Sequence, residues 1–135
     1  MALRQMLLGK IHRVTITQAD LDYVGSLTVD AGLLRAAGIL PYELVLVVNL
    51  ANGARLETYA IEGEAGSGVV CANGAAAHHF QPGDLAIIMA FQYLEAAEAG
   101  AVRPSVVFVD AHNRITGTAD AIAPGPVDAQ PLAST

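Results

Sequence analysis

The chain reads as a mainly β protein: a small barrel of short strands with brief helices between them. Three observations predict it. Short runs rich in valine, isoleucine, leucine and threonine recur along the chain. Turn-forming groups separate them: Asn52-Gly53, the glycine-rich residues 63–68 and Gln81-Pro82-Gly83-Asp84. At 135 residues there is length for one domain with a real core, and not for two.

Each element has its own signal. Residues 10–17 alternate, with His12, Val14 and Ile16 on one face and Ile11, Arg13 and Thr15 on the other. Residues 23–29 read as a second strand, distorted at Gly25. Asp30 is a good helix N-cap; Leu33, Leu34 and Ala37 make an apolar stripe; Gly38 is a stop before Pro41. Residues 43–50 are a valine-rich buried strand. Asn52-Gly53 predicts a type I′ hairpin turn, whose two central residues need positive φ, and residues 54–61 return as the partner strand. Residues 69–72 form a short strand, 73–79 a helical turn, 85–93 a strand, 95–99 a short helix and 105–110 the last strand. From residue 116 onward Ala, Pro, Gly and Thr dominate without period. The expected division is therefore one domain over 1–115 and a disordered tail over 116–135.

Composition narrows the function. Apolar residues make up 53% of the chain and mean hydropathy is +0.45, high for a monomer of this size, so apolar surface is expected between subunits. The longest apolar run, residues 85–91, is too short for a bilayer, which needs about 20 residues. The start lacks the length and cleavage region of a signal peptide, so no membrane partner and a cytoplasmic address are expected. Cys71 is alone, which excludes an internal disulfide, and its neighbours Val69, Val70 and Ala72 mark it as a buried small apolar residue. Net charge is −6, against nucleic acid as a partner. An acidic substrate would need a local cationic pocket. Of seven Lys and Arg, three are Lys10, Arg13 and Arg55.

Those three cations sit in or beside the most informative stretches. Gly25-Ser26 follows Lys10-Ile11-His12-Arg13 and Ala19-Asp20-Leu21-Asp22-Tyr23-Val24. A serine after a glycine can attack the glycine's own carbonyl, ending in chain cleavage and a pyruvoyl group. The segments Asn52-Gly53-Ala54-Arg55-Leu56-Glu57-Thr58-Tyr59-Ala60-Ile61 and Asn73-Gly74-Ala75-Ala76-Ala77-His78 follow in order. Together these motifs resemble the pyruvoyl-dependent aspartate 1-decarboxylases, which make β-alanine for pantothenate. The resemblance runs from about residue 3 to residue 110. It departs at Gln5, where a threonine is usual, and at Ala65, where an arginine usually precedes Gly66-Ser67.

The resemblance implies a six-stranded double-psi β-barrel and a homotetramer with active sites between subunits. It implies a proenzyme cut into residues 1–25 and 26–135, with a covalent pyruvoyl cofactor made from Ser26. That group would turn L-aspartate into β-alanine and CO₂ through a Schiff base. Glycine at 25 leaves the attacked carbonyl unhindered and tolerates strain. Thr58 matches the family threonine tied to processing and substrate contact, a role in which its hydroxyl would polarise the Gly25 carbonyl. Tyr59 matches the proton donor; a phenol, pKa about 10, is protonated at neutral pH. Arg55 and Lys10 are the candidate partners of the two substrate carboxylates, in either assignment. Asn73, Gly74, Ala75 and Ala76 match the substrate-contacting loop. His12 reads as a supporting residue near the cleavage site.

Residue parity raises one question. Arg55 and Tyr59 share a face of a regular strand, and Thr58 points away. Either a bulge turns the strand or Thr58 acts from the opposite face. Pyridoxal phosphate is not expected, because Lys10 is the only lysine and no phosphate cradle accompanies it. Metal is not expected either, since the adjacent His78 and His79 diverge and His112 has no evident partner. Two rivals remain: a sister decarboxylase for another amino acid, and a non-catalytic double-psi barrel acting as a binding module. The first would need a different second carboxylate site; the second would stay one chain.

Overall fold

The structure, a computed structural model, describes residues 2–132. Its strands are β1 (Leu3–Thr15), β2 (Gln18–Asp20), β3 (Ser26–Asp30), β4 (Leu44–Asn49), β5 (Arg55–Gly63), β6 (Val70–Asn73), β7 (Leu85–Glu95), β8 (Ser105–Val109) and β9 (Ile115–Ala119). Helix α1 (Ala31–Ala37) follows β3, and the single turn α2 (Ala96–Ala99) follows β7. Two 3₁₀ turns complete the set, Gly74–His79 and Val127–Ala129. The mainly β expectation with short helices holds.

The nine strands join in the order β2-β6-β3-β5-β4-β7-β1-β8-β9. The β1–β7 antiparallel ladder is the longest, and β1–β8, β2–β6 and β3–β5 are parallel. The described residues hold nine strands in all, three more than the six that the resemblance implied for the barrel itself. One apolar cluster draws on Ile11 and Val14 of β1, Leu27 and Val29 of β3, Val45 and Val47 of β4, Val70 of β6 and Ile88 of β7. Leu33 and Leu34 of α1 complete it, so the expected stripe is the buried face of that helix.

The helix signals are realised atom by atom. Asp30 Oδ1 accepts from the Gly32 N–H at 2.7 Å. Gly38 takes φ 71°, which lets its N–H close back on the Arg35 carbonyl.

Four readings are corrected. First, β1 begins at Leu3, not at residue 10, because its early residues pair with the end of β7 while lying exposed, so no apolar alternation marks them. Second, the strand expected over 23–29 starts only at Ser26, because a turn precedes it in which Asp20 Oδ1 accepts from the Asp22 N–H and the Asp20 carbonyl from the Tyr23 N–H; β2, ahead of that turn, is too short to carry a period and is held by its pairing with β6. Third, the β4–β5 connection is not a type I′ turn. Gly53 has φ 73° but Asn52 does not take positive φ. The loop is longer, with the Gly53 N–H on the Asn49 carbonyl and the Asn49 and Asn52 side chains accepting from Ala51 and Ala54 N–H. Fourth, β8 is not the last strand. β9 crosses the 115/116 boundary and pairs with β8, and its inward positions are Gly117 and Ala119. A strand whose buried face is written in glycine and alanine leaves no apolar signal. Of the expected tail, residues 133–135 lie outside the described residues.

Candidate active site

Ser26 opens β3, between β6 on one side and β5 on the other. On the β6 side it faces Asn73. On the β5 side Leu27 pairs with Ala60, so Thr58 and Tyr59 lie beside the start of β3. The next turn closes the arrangement. Gly74 takes φ 59° and packs so tightly on the Gly25-Ser26 dipeptide that a Cβ there would fall 2.9 Å from Gly25 Cα. Only glycine allows that approach.

An open cleft of about 400 Å³ results, lined by Gly25, Ser26, Leu56, Glu57, Thr58, Tyr59, Asn73, Ala75, Ala76 and His79. At its centre Tyr59 Oη donates to the Gly25 carbonyl at 2.6 Å. Ser26 is buried, 2% exposed, and holds φ at 150°. Non-glycine residues rarely adopt that backbone, which costs about 1–3 kcal/mol and persists only where the surroundings impose it. Asn73, equally buried, donates from Nδ2 to Ser26 Oγ at 3.3 Å and to Thr28 Oγ1 at 2.8 Å. Its Oδ1 accepts from the Cys71 thiol at 3.0 Å. Burial first, and then the Asp20 carboxylate, push the Cys71 thiol pKa up, so the thiol keeps its proton.

The parity question has an answer. β5 pairs with β4 without a register shift, so no bulge intervenes. Arg55, Glu57 and Tyr59 are exposed, while Leu56, Thr58 and Ala60 turn inward. Thr58 lines the cleft from the opposite face. Among the described residues no hydrogen bond joins Thr58 to Gly25; the carbonyl's donor is Tyr59.

The second Gly-Ser pair shows what an ordinary turn looks like. Ser67 Oγ donates to the Glu64 carbonyl at 2.6 Å, and Ser67 has no positive φ. The buried Asp30 carboxylate accepts from the Gly66 and Gly68 N–H groups. Burial acts to raise the Asp30 pKa, but N–H donors from Gly68, Gly66, Gly32 and Leu33 outweigh it and hold the pKa below 3.8.

The single chain does not gather every expected residue. Arg55 is exposed on β5 and is not among the residues lining the cleft. Lys10 and His12 lie on β1 and line a different, smaller cavity with Phe108 and Gln130. The His12 ring meets Phe108 edge-on at 5.7 Å, and its Nδ1 is buried without a partner. Burial, then the charges of Lys10 and Arg13, lower its pKa below 6.5. Residues outside the expected set also line the cleft, namely Leu56, Glu57 and His79, while Thr28 and Cys71 hold Asn73. The signal for Glu57 was its parity with Arg55 and Tyr59. The signal for Cys71 was its place two residues from Asn73 on one strand, which puts both on one face.

Fold and cleft together define a β-sheet protein that presents a strained Gly-Ser bond to a hydroxyl donor. Residues 2–116 match the family described as aspartate decarboxylase. The chain is 59% identical over 113 residues to the aspartate 1-decarboxylase of Corynebacterium efficiens, covering 84% of this chain and 83% of that one. It is 60% identical over 111 residues to that of Ruminiclostridium cellulolyticum, covering 82% and 87%. With that of Moorella thermoacetica it shares 55% identity over 124 residues, 92% and 97% of the two chains. The chain belongs to the aspartate decarboxylase family.

Proposed function

We propose that the chain is a proenzyme that cleaves itself between Gly25 and Ser26 and then decarboxylates L-aspartate to β-alanine and CO₂. The observation that carries this reading is the cleavage bond itself: a buried, strained Ser26 behind a carbonyl held by Tyr59 Oη at 2.6 Å. Ser26 Oγ adds to the Gly25 carbonyl carbon, the C–N bond breaks, and the hydroxyl proton ends on the nitrogen. The ester then loses the Ser26 Cα proton as the Cβ–O bond breaks, and Gly25 departs as a carboxylate. The dehydroalanine left at position 26 takes up water and loses ammonia, leaving a pyruvoyl group at the head of residues 26–135. That carbonyl supplies the electron sink that an α-decarboxylation needs.

The remaining roles fall to side chains. Once Gly25 has gone, Tyr59 Oη is released from its carbonyl and holds a proton for the substrate Cα. Thr58, Asn73, Gly74, Ala75 and Ala76 form the substrate wall. Arg55 and Lys10 take the two carboxylates. Among the described residues no lysine or arginine lines the cleft of one chain, so a dicarboxylate needs cations from elsewhere. A second copy is the source this reading requires, in a homotetramer with sites between subunits. Exposed Val24, Leu40, Tyr42, Leu44 and Tyr93 supply apolar surface for it.

The double-psi barrel is part of the same reading. β1 and β2 stand six places apart in the sheet, about 29 Å if it were flat. Yet only Ile16 and Thr17 connect them, a reach of about 11 Å. A sheet curled until its β6 side meets β1 satisfies both, and the Thr17 N–H on the Val70 carbonyl supports that closure. The family match ends at residue 116, which supports one decarboxylase unit over 1–115. No helix among the described residues is long and apolar enough to cross a membrane.

A substrate panel tests the activity. L-aspartate should yield β-alanine and CO₂, with glutamate and neutral amino acids far slower. A cleaved protein that prefers another amino acid would overturn the substrate assignment.

A further inference from the structure

Cys71, Asn73, Ser26 and Thr28 form one block of the β3–β6 ladder, where Ser26 faces Asn73 and Thr28 faces Cys71. Cys71, Asn73 and Ser26 are each no more than 3% exposed. We propose that Cys71 is a positioning residue for self-cleavage: its thiol fixes the Asn73 amide in the one orientation that leaves the Ser26 hydroxyl proton free. The inference rests on the self-cleavage reading above.

The argument is one of donors and acceptors. The Asn73 side chain offers one oxygen and an NH₂ with two donors. With the thiol on Oδ1, the NH₂ faces Ser26 Oγ and Thr28 Oγ1, at 3.3 and 2.8 Å. Ser26 Oγ then accepts, so its proton is not held by Asn73 and can move to the departing nitrogen. Reversed, the amide would turn its oxygen to the two hydroxyls and its NH₂ to sulfur, a weak acceptor. Ser26 would then donate its proton to Asn73 and hold it there during attack. A thiol is a modest donor, but within a buried polar chain it is enough to decide between the two orientations. The raised thiol pKa is consistent with this, since a thiolate could not donate. Thr28 is the second anchor of the amide.

The test follows the rate at which chain 26–135 appears by mass after a short pulse of cell-free synthesis. Cys71→Ser keeps a donor and should cleave within a few-fold of wild type. Cys71→Ala removes it and should slow cleavage on the order of tenfold. Melting temperatures of Ser26→Ala with and without Cys71→Ala should agree within a few degrees, separating positioning from folding. If Cys71→Ala proves unstable, Thr28→Val carries the test, with slow cleavage expected. Cleavage of Cys71→Ala, or of Thr28→Val where it stands in, at the wild-type rate would overturn the assignment. So would a Cys71→Ser variant as slow as Cys71→Ala. A wild-type chain that stays whole would overturn the self-cleavage reading itself, and Cys71 with it.

Discussion

At the scale of the residue, the proposed chemistry rests on two hydroxyls. Ser26→Ala has neither nucleophile nor leaving oxygen, so it should fold and remain one uncleaved chain by mass; cutting at the same bond would remove Ser26 from the mechanism. Tyr59→Phe keeps the ring and loses the proton. It should still be cleaved, more slowly, because backbone strain at Ser26 and the Asn73 contact remain. Turnover of aspartate should fall about 10²-fold or more. Failure of this variant to cleave at all would make Tyr59 indispensable to maturation. Arg55→Ala should mature normally yet lose about 2–5 kcal/mol in kcat/KM for aspartate; an unchanged kcat/KM would make Arg55 a surface charge. Ser26, Gly25 and Tyr59 were legible because their motif is specific. Which hydroxyl reaches the Gly25 carbonyl was not, since parity separates Thr58 from Tyr59 without saying which face the carbonyl meets. Cys71 passed for apolar filling because its neighbours are apolar and its partner is not adjacent in sequence.

At the scale of the element, close packing at loop ends positions the site. Gly74→Ala would bring a methyl to 2.9 Å from Gly25 Cα in a backbone that L residues resist. It should displace the cleavage dipeptide and slow chain separation, as timed mass measurements would record; a wild-type rate would show that the turn over Gly74–His79 does not bear on it. Asp30 both caps α1 and ties down the glycine-rich turn. Asp30→Ala in the Ser26→Ala background should lose about 2–4 kcal/mol in denaturant unfolding, because buried N–H groups are left unpaired. The valine-rich run of β4 was readable from sequence, although only its alternate residues are buried, and so was α1 with both caps. The start of β1, the three-residue β2 and the small-residue β9 were not, because ladder pairing rather than apolar period holds them.

At the scale of the whole molecule, His12 and Asp30 both contribute to the response to acid. The folded His12 pKa lies below 6.5, so as pH falls through that value the unfolded chain takes up a proton first and stability declines. The folded Asp30 pKa lies below 3.8, so its contribution is complete above that value and is lost as pH falls toward the lower folded one. Melting temperature of the Ser26→Ala chain should therefore drop in two steps on acidification, and His12→Gln should flatten the upper one. The incomplete cation set was not visible in sequence, where Lys10 and Arg55 read as neighbours in function; the fold parts them onto β1 and β5 and neither lines the cleft, which is why the proposed function calls on a second copy. The central claim is the scission of one peptide bond, and intact mass of the purified full-length protein tests it most directly. Two chains are predicted, residues 1–25 and residues 26–135, the larger with no free N-terminal amine and a mass matching a pyruvoyl group in place of Ser26. A single uncut chain of 135 residues, or a cut at any other bond, would contradict it.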